Sequence, residues 1–170
     1  MKTINNILFP TDYSKYSECA LPQALFLARQ YEAALHILHV RTDAKSRRGD
    51  REENPHKQME IERDISVVKG IQIIRDGVYS FSAPEGILSY ADKNDVDLII
   101  MAKYGQGGMK RFLLGSTTEK VLRHAVCPVL SVHCKDSRIE SNPEDIRSIV
   151  VPIDFSPESH YVLRSAKKWA

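Results

Sequence analysis

The sequence predicts an α/β fold with a doubly wound parallel sheet and helices on both of its faces. Short apolar runs alternate with longer segments whose apolar residues recur at helical spacing, and this alternation is typical of repeated strand–helix–strand units. The most apolar run, Leu98 to Met101, has four consecutive apolar residues, as expected of a strand that is covered on both faces. At 170 residues, the chain can hold one full domain of this kind, with little left for a second.

The individual elements follow from turn and cap signals along the chain. The predicted strands are residues 4–10, 34–40, 71–74, 98–101 and 128–132. The predicted helices run from a cap at Ser14 or Ser17 to about Tyr31, from about 56 to 69, from 83 to 94 and from 116 to about 124. Pro22 fits the first helix only in a first turn, because elsewhere it removes a hydrogen bond and kinks the helix. Asp76 and Gly77 are predicted to form the turn after the third strand.

Composition limits the classes of partner. The chain is 42% hydrophobic and 27% charged, which is ordinary for a globular protein, and its net charge of +2 gives no electrostatic reason to expect a nucleic-acid or membrane partner. No apolar run approaches the ~20 residues of a membrane span. The N-terminus leads directly into a strand, without the pattern of a signal peptide. The protein is therefore expected to be cytoplasmic.

A glycine-rich stretch follows the most apolar strand and precedes a helix. Its glycines and hydroxyl residues are Gly105, Gly107, Gly108, Gly115, Ser116 and Thr117. Ser116 or Thr117 is predicted to cap the helix, with Glu119 completing a capping box, and the free N–H groups of a helix start favour an anion such as phosphate. No lysine follows Gly115 as a P-loop would require, and on the glycines alone a simple surface loop is an equally good interpretation.

This stretch resembles the universal stress protein family, whose ATP-binding members carry G-x2-G-x9-G-[ST] between the fourth strand and the fourth helix. Gly105, nine intervening residues, Gly115 and Ser116 match the second part of that pattern, and the continuation EKVLRHAVCPVLSV is similar to that of the family. The first glycine is replaced by Ala102. Alanine costs little there if its φ is negative, but about 1 kcal/mol or more, with crowding of the ribose, if its φ is positive. The resemblance covers roughly residues 3 to 134.

The resemblance, together with right-handed crossovers, implies a Rossmann-like sheet of the adenine nucleotide alpha hydrolase-like type, with five strands in the order 3-2-1-4-5. Ligands bind such sheets where the strand order reverses, here between the strands that end at Asp12 and Ala102. The implied ligand is ATP or another adenine nucleotide with Mg²⁺ on its phosphates. Asp12 is expected at the base or ribose and Val40 at the adenine, although Asp12 alone could also be read as a turn residue. The expected binding residues are Pro10, Thr11, Asp12, Val40, Met101, Ala102, Gly105, Gly108, Gly115, Ser116 and Thr117.

The expected function is that of an ATP-binding regulatory or stress-response protein with little or no turnover. Two alternatives stay open: a slow ATP hydrolase, with Lys103, Lys110 or Arg111 near the γ-phosphate, and an interaction module that no longer binds nucleotide. No catalytic residue and no protein-held metal site are predicted. His36 and His39 cannot chelate one ion together, because residues three apart in a strand point to opposite faces.

The end of the chain repeats its beginning. Residues 5–28 align without a gap to residues 147–170, with eight identical positions that include Pro10 and Pro152, and Asp12 and Asp154. The predicted domains are therefore 1–136, a linker over 137–145, and 146–170 as the first strand and partial first helix of an incomplete second copy, as in a truncated tandem protein. Because the repeated strand is apolar on both faces, a homodimer is expected to cover it.

Overall fold

The protein is described by a computed structural model that covers residues 4–42, 70–104, 114–133 and 150–151. The chain divides into two compact units, Met1–Glu140 and Ser141–Ala170. Only Val150 and Val151 of the second unit are described, so the fold below is that of the first unit. The predicted helix at about 56–69, the linker and most of the repeated segment lie outside the described residues.

The first unit is built on one parallel sheet of five strands. The strands are β1 (Asn6–Pro10), β2 (Ala34–Arg41), β3 (Ile73–Tyr79), β4 (Leu98–Ala102) and β5 (Val129–Val132). Their order is β3-β2-β1-β4-β5, and every neighbouring pair is parallel. This arrangement confirms the predicted fold class and strand order. The central strands β1 and β4 are buried along most of their length, as their continuous apolar runs predict.

The helices that the structure describes are α1 (Lys15–Glu18), α2 (Leu21–Gln30), α3 (Ala83–Lys93) and α4 (Ser116–His124). The first predicted helix is thus divided between α1 and α2. Pro22 lies in the first turn of α2, where its missing N–H would have had no partner within the helix. Ser14 caps α1, since its hydroxyl oxygen accepts a hydrogen bond from the Ser17 N–H at 3.1 Å. None of the described helices is long and apolar enough to cross a membrane.

The predicted turn at Asp76 and Gly77 is wrong, because β3 continues through both residues to Tyr79. Asp76 pairs with Leu38 of β2 and Gly77 pairs with His39. β3 is the edge strand on this side of the sheet, where polar residues and glycine are tolerated. Pairing with β2 therefore overrides the local turn preference of the Asp–Gly sequence.

The two buried histidines of β2 occupy opposite faces of the sheet, as the strand alternation predicts. The Nδ1 atom of His36 hydrogen-bonds the Tyr90 hydroxyl of α3 at 3.1 Å, whereas Nδ1 of His39 hydrogen-bonds the Thr11 carbonyl oxygen at 2.9 Å. Burial lowers the pKa of His36, although the Asp76 carboxylate acts in the opposite direction, and burial together with Asp76 raises the pKa of Tyr90. His36 and Tyr90 therefore form a neutral, hydrogen-bonded pair under α3.

The packing of α3 on β2 depends on a glycine in its first turns. A Cβ atom built on Gly86 would lie 2.6 Å from Cγ1 of Val40 and 3.0 Å from Cβ of Ser80. Real Cβ atoms do not approach carbon this closely, so the absence of a side chain allows the helix to sit directly on the end of β2.

We expect Gly86→Ala to destabilise the protein by about 1 to 3 kcal/mol, because the added methyl group overpacks the contact with Val40. Alanine normally favours a helix interior over glycine by about 0.5 to 1 kcal/mol, so helix propensity alone predicts the opposite sign. Urea denaturation measures the free energy of unfolding. Ser89→Ala, at an exposed position of the same helix, is the control and should change stability by less than about 0.5 kcal/mol. A stabilised Gly86→Ala variant would contradict the packing described here.

Candidate functional site

The candidate site lies at the edge of the sheet formed by the carboxyl ends of β1, β2 and β4. β1 lies between the other two strands, and the strand order reverses beside it. Pro10 ends β1 and is followed by Thr11 and Asp12, Val40 lies near the end of β2, and Met101 and Ala102 end β4. The structure therefore brings these predicted residues to one edge of the sheet. Gly105 and Gly108 lie outside the described residues, so their predicted contacts with phosphate stay predictions.

The loop that carries Asp12 is held by a group of hydroxyl and main-chain hydrogen bonds. The Thr11 N–H donates to the Leu38 carbonyl at 2.9 Å, and the Thr11 hydroxyl lies 3.0 Å from the Ser17 hydroxyl. The Ser14 N–H donates to Oδ1 of Asp12 at 3.0 Å. Asp12 thus forms the turn contact that its local sequence suggests while its side chain is only partly buried.

Tyr13 lies in this loop and His39 of β2 packs against it, and neither residue was predicted to belong to the site. Tyr13 has φ of +54°, and its N–H donates to the Thr11 hydroxyl at 3.0 Å. Its ring stacks on the His39 imidazole, with 4.8 Å between ring centroids and 24° between ring planes. The only available sequence signal was that His39 lies on the β2 face opposite to His36, close to the end of the strand.

Val40 presents its side chain and its main chain in different directions. The side chain is buried against Gly86 of α3. Main-chain groups alternate between the two neighbouring strands: the Leu38 carbonyl accepts from Thr11 on the β1 side, and the Arg41 carbonyl accepts from Ser80 on the β3 side. The N–H and C=O of Val40 therefore face the β1 side, beyond the last ladder pair at Pro10 and Leu38.

Ala102, which replaces the first glycine of the family pattern, causes no backbone strain. It lies in β4 and pairs with Val132, and the described non-glycine residues with positive φ are Tyr13, Glu32 and Asp95. The condition under which alanine was expected to cost little is therefore met.

Two hydrogen bonds join the end of β4 to the start of α4. The Thr118 hydroxyl donates to the Ala102 carbonyl at 3.0 Å, and the Gly115 N–H donates to the Lys103 carbonyl at 2.9 Å. A Cβ atom on Gly115 would lie 3.0 Å from that same Lys103 oxygen. Glycine at position 115 therefore allows the start of α4 to lie close to the Lys103 carbonyl oxygen. A substitution there would disturb the helix start as well as any bound ligand.

The predicted capping box at α4 is wrong. Gly115 is the N-cap, in an extended conformation, and Ser116 is the first residue of the helix, so neither Ser116 nor Thr117 caps it. Glu119 accepts instead from the Arg123 guanidinium at 3.0 Å, one turn along the helix. The bond from Gly115 to Lys103, which local sequence does not reveal, fixes the cap one residue earlier.

The first turn of α4 offers unused donors. An α-helix provides no internal acceptor for its first N–H groups, and in the part of the chain that the structure describes the N–H groups of Ser116, Thr117 and Thr118 have no hydrogen-bond acceptor. The Ser116 side chain is exposed and that of Thr117 is partly exposed. This helix start can therefore attract an anion at the same edge of the sheet as Asp12 and Val40.

The sequence pattern of the universal stress protein family matches residues 3–133. The chain belongs to the universal stress protein family. A Staphylococcus haemolyticus protein named for this family is 32% identical over 167 residues, which cover 91% of this chain and 97% of that protein.

Solved structures of the same family have the same fold. The universal stress protein UspA from Lactobacillus plantarum is 26% identical, with a TM-score of 0.65 over 78% of this chain and 99% of that one. A universal stress protein solved in complex with cAMP is 21% identical, with a TM-score of 0.60 over 78% of this chain and 98% of that one. At 21% identity, the similarity to the cAMP complex supports the fold alone.

We expect Thr118→Val to destabilise the protein by about 1 to 3 kcal/mol, because valine keeps the shape of threonine but leaves the buried Ala102 carbonyl without its donor. Thr118→Ser keeps the hydroxyl and should recover most of that loss. Urea denaturation of both variants measures the difference. Ser116→Ala removes an exposed hydroxyl from the same helix turn and should have an effect below about 0.5 kcal/mol. Equal stability of the valine and serine variants would mean that the hydrogen bond does not stabilise the β4–α4 junction.

Proposed function

We propose that this universal stress protein binds ATP or a close adenine nucleotide and acts as a regulatory, stress-response protein with little or no turnover. The observation that carries the proposal is the meeting of three features at the reversal point of the strand order. These are the Val40 main chain beyond the end of the β1–β2 ladder, the Asp12 loop, and the open first turn of α4. Each supplies the chemistry that one part of an adenine nucleotide requires.

The base and the ribose would bind at the β1–β2 end of the site. Adenine presents a ring-nitrogen acceptor beside an amino donor, and the N–H and C=O of one residue in extended conformation can complement that pair. Val40 offers such a pair on the β1 side. The Asp12 carboxylate can accept from ribose hydroxyls, and a charged acceptor forms stronger hydrogen bonds than a neutral one.

The phosphates would bind at the start of α4. The N–H groups of Ser116, Thr117 and Thr118 and the positive end of the helix dipole favour negative charge there. Mg²⁺ would arrive on the phosphates, since it binds with phosphate oxygens and retained waters rather than in an all-protein cage. The hydroxyl oxygens of Ser116 and Thr117 are of the kind that such a hydrated ion accepts as ligands.

Asp12→Asn tests the nucleotide site. Asparagine keeps a side-chain oxygen for the Ser14 N–H but removes the charge, so we expect MgATP affinity, measured by isothermal titration calorimetry, to fall by about tenfold or more. Asp97→Asn is the matched control. Asp97 also accepts main-chain N–H groups, from Asn5 at 2.9 Å and Asn6 at 3.1 Å, but it lies at the amino end of β4. Its replacement should leave the affinity unchanged.

The same samples distinguish the alternatives. Unchanged affinity in Asp12→Asn would remove Asp12 from the site, and a wild-type chain that binds no adenine nucleotide would favour an interaction module. A phosphate-release assay on the wild type separates binding from hydrolysis. Steady multiple turnover, lost on Lys103→Ala, would favour the slow hydrolase.

We also propose that the repeated segment, as the beginning of a second domain copy, pairs two chains. Val150 occupies the repeat position of Leu8, which is completely buried in β1, yet Val150 is 88% exposed. An apolar residue whose repeat counterpart belongs in a core requires cover, and a second copy of the chain offers the same surface in return.

We expect Val150→Lys to shift the chain from dimer toward monomer in sedimentation velocity, because the lysine charge would have to be buried in the contact. Val126→Lys is the control, since Val126 is similarly apolar and 85% exposed but lies in the first unit. Equal dimerisation of the wild type and the Val150 variant would contradict the role of the repeat.

A further inference from the structure

His39 has a structural relation to the site that His36, on the same strand, lacks. Both imidazoles are buried, but His36 contacts Tyr90 in the core under α3, whereas His39 lies 2.9 Å from the carbonyl oxygen of Thr11. A carbonyl oxygen can only accept, so Nδ1 of His39 carries the proton and donates it. The bond ends on the peptide group that immediately precedes Asp12.

That hydrogen bond occupies the acceptor at which the β1–β2 ladder would continue. In a parallel ladder, one residue forms two hydrogen bonds with the neighbouring strand. Its N–H donates to the carbonyl of one residue there, and its carbonyl accepts from the N–H of the residue two positions later on that strand. Since the Thr11 N–H donates to the Leu38 carbonyl, the next bond would run from the Val40 N–H to the Thr11 carbonyl. The ladder instead stops at Pro10 and Leu38, and the His39 side chain takes that carbonyl.

Tyr13 shows that the chain bends sharply where the ladder stops. An aromatic residue rarely adopts φ of +54°, and such a conformation persists only where surrounding contacts hold it. Two contacts do so here: the Tyr13 N–H donates to the Thr11 hydroxyl, and the Tyr13 ring stacks on His39. His39 thus contacts the loop on both sides of Asp12.

We propose that His39 is a positioning residue for the nucleotide site: by taking the Thr11 carbonyl it ends the β1–β2 ladder, leaves the Val40 N–H for the adenine, and fixes the Asp12 loop. The inference rests on the proposed function, since it assigns His39 to the same site. It also predicts a property of the protein without ligand, namely that the Val40 amide is kept out of the ladder by the imidazole.

Two substitutions separate the hydrogen bond of His39 from its ring. His39→Phe keeps a ring for Tyr13 but removes the donor, and we expect MgATP affinity to fall by about tenfold or more. His39→Asn places a side-chain N–H near the position of Nδ1 without the ring, and we expect affinity within about threefold of the wild type. His36→Phe is the matched control, because it replaces an equally buried histidine of β2 and should leave the affinity unchanged even where it lowers stability.

Hydrogen exchange measured by NMR on the chain without nucleotide gives a readout that a general loss of stability would not produce. In His39→Phe the Thr11 carbonyl becomes available to the Val40 N–H, so exchange at Val40 should slow while a destabilised protein would exchange faster. In His39→Asn the Val40 amide should exchange as in the wild type.

The outcomes separate the two proposals. If the wild-type chain binds no adenine nucleotide, the proposed function fails, and exchange at Val40 alone then decides whether His39 ends the ladder. Unslowed exchange at Val40 in His39→Phe overturns the positioning role. So does wild-type MgATP affinity in that variant, or an equal loss of affinity in His36→Phe.

Discussion

The position of β1 between β2 and β4 is the constraint on which the rest of the structure depends. Its apolar side chains are buried on both faces. Because buried backbone N–H and C=O groups need partners, both of its edges are paired as well, with β2 and β4 in parallel. The chain passes from β1 to β2 on one side and from β4 to β5 on the other, so the connections that follow β1 and β4 lead in opposite directions. The space beyond its carboxyl end is therefore the place where no crossover covers the sheet, and Asp12 follows β1 at that place.

Both flanks of this space are fixed by non-local hydrogen bonds rather than by regular ladder pairing. On the β2 flank, a histidine side chain takes the carbonyl at which the ladder would have continued. On the β4 flank, Gly115 and Thr118 bind the carbonyls of Lys103 and Ala102, which ties the first turn of α4 to the end of the strand. On the β2 flank the Val40 N–H is left over from a ladder that stops at Pro10 and Leu38, and on the β4 flank the open donors are the first N–H groups of α4. Such groups can be held in place before a ligand arrives, which lowers the entropy lost on binding.

Local patterns in the sequence predicted most of the fold. Continuous apolar runs identified β1 and β4, a run interrupted by His36 and His39 identified β2, and the strand order followed from the family resemblance and crossover handedness. The errors have a common origin in tertiary pairing. Asp76 and Gly77 carry a turn signal that pairing with β2 overrides, and the α4 cap is set by the bond from Gly115 to Lys103, nonadjacent residues whose contact local sequence does not encode.

The sequence predicted only those residues of the candidate site that match the family motif or lie at strand ends. Asp12, Val40 and Ser116 could be named because they follow strands or match the family pattern. The role of His39 could not be predicted, because it depends on which β2 residue lies beside the Thr11 carbonyl. The register between β1 and β2 determines that residue. Tyr13 was equally out of reach, because nothing in its side chain favours a positive φ and the conformation is imposed by its contacts with Thr11 and His39.

Ala102 is the one departure from the family pattern, and the structure changes what that departure means. A glycine can be required at a strand end for its φ or for the room it leaves. The first requirement does not apply, because Ala102 continues β4 with ordinary extended backbone. The second requirement, room for a ligand, is affected little, because Ala102 is only 6% exposed. Its methyl group is covered by the protein and has little surface left to meet a ribose. The Ala102 carbonyl, which any residue would supply, is the group that binds Thr118. The contribution of position 102 to the candidate site is thus made by the main chain, which alanine supplies as well as glycine does.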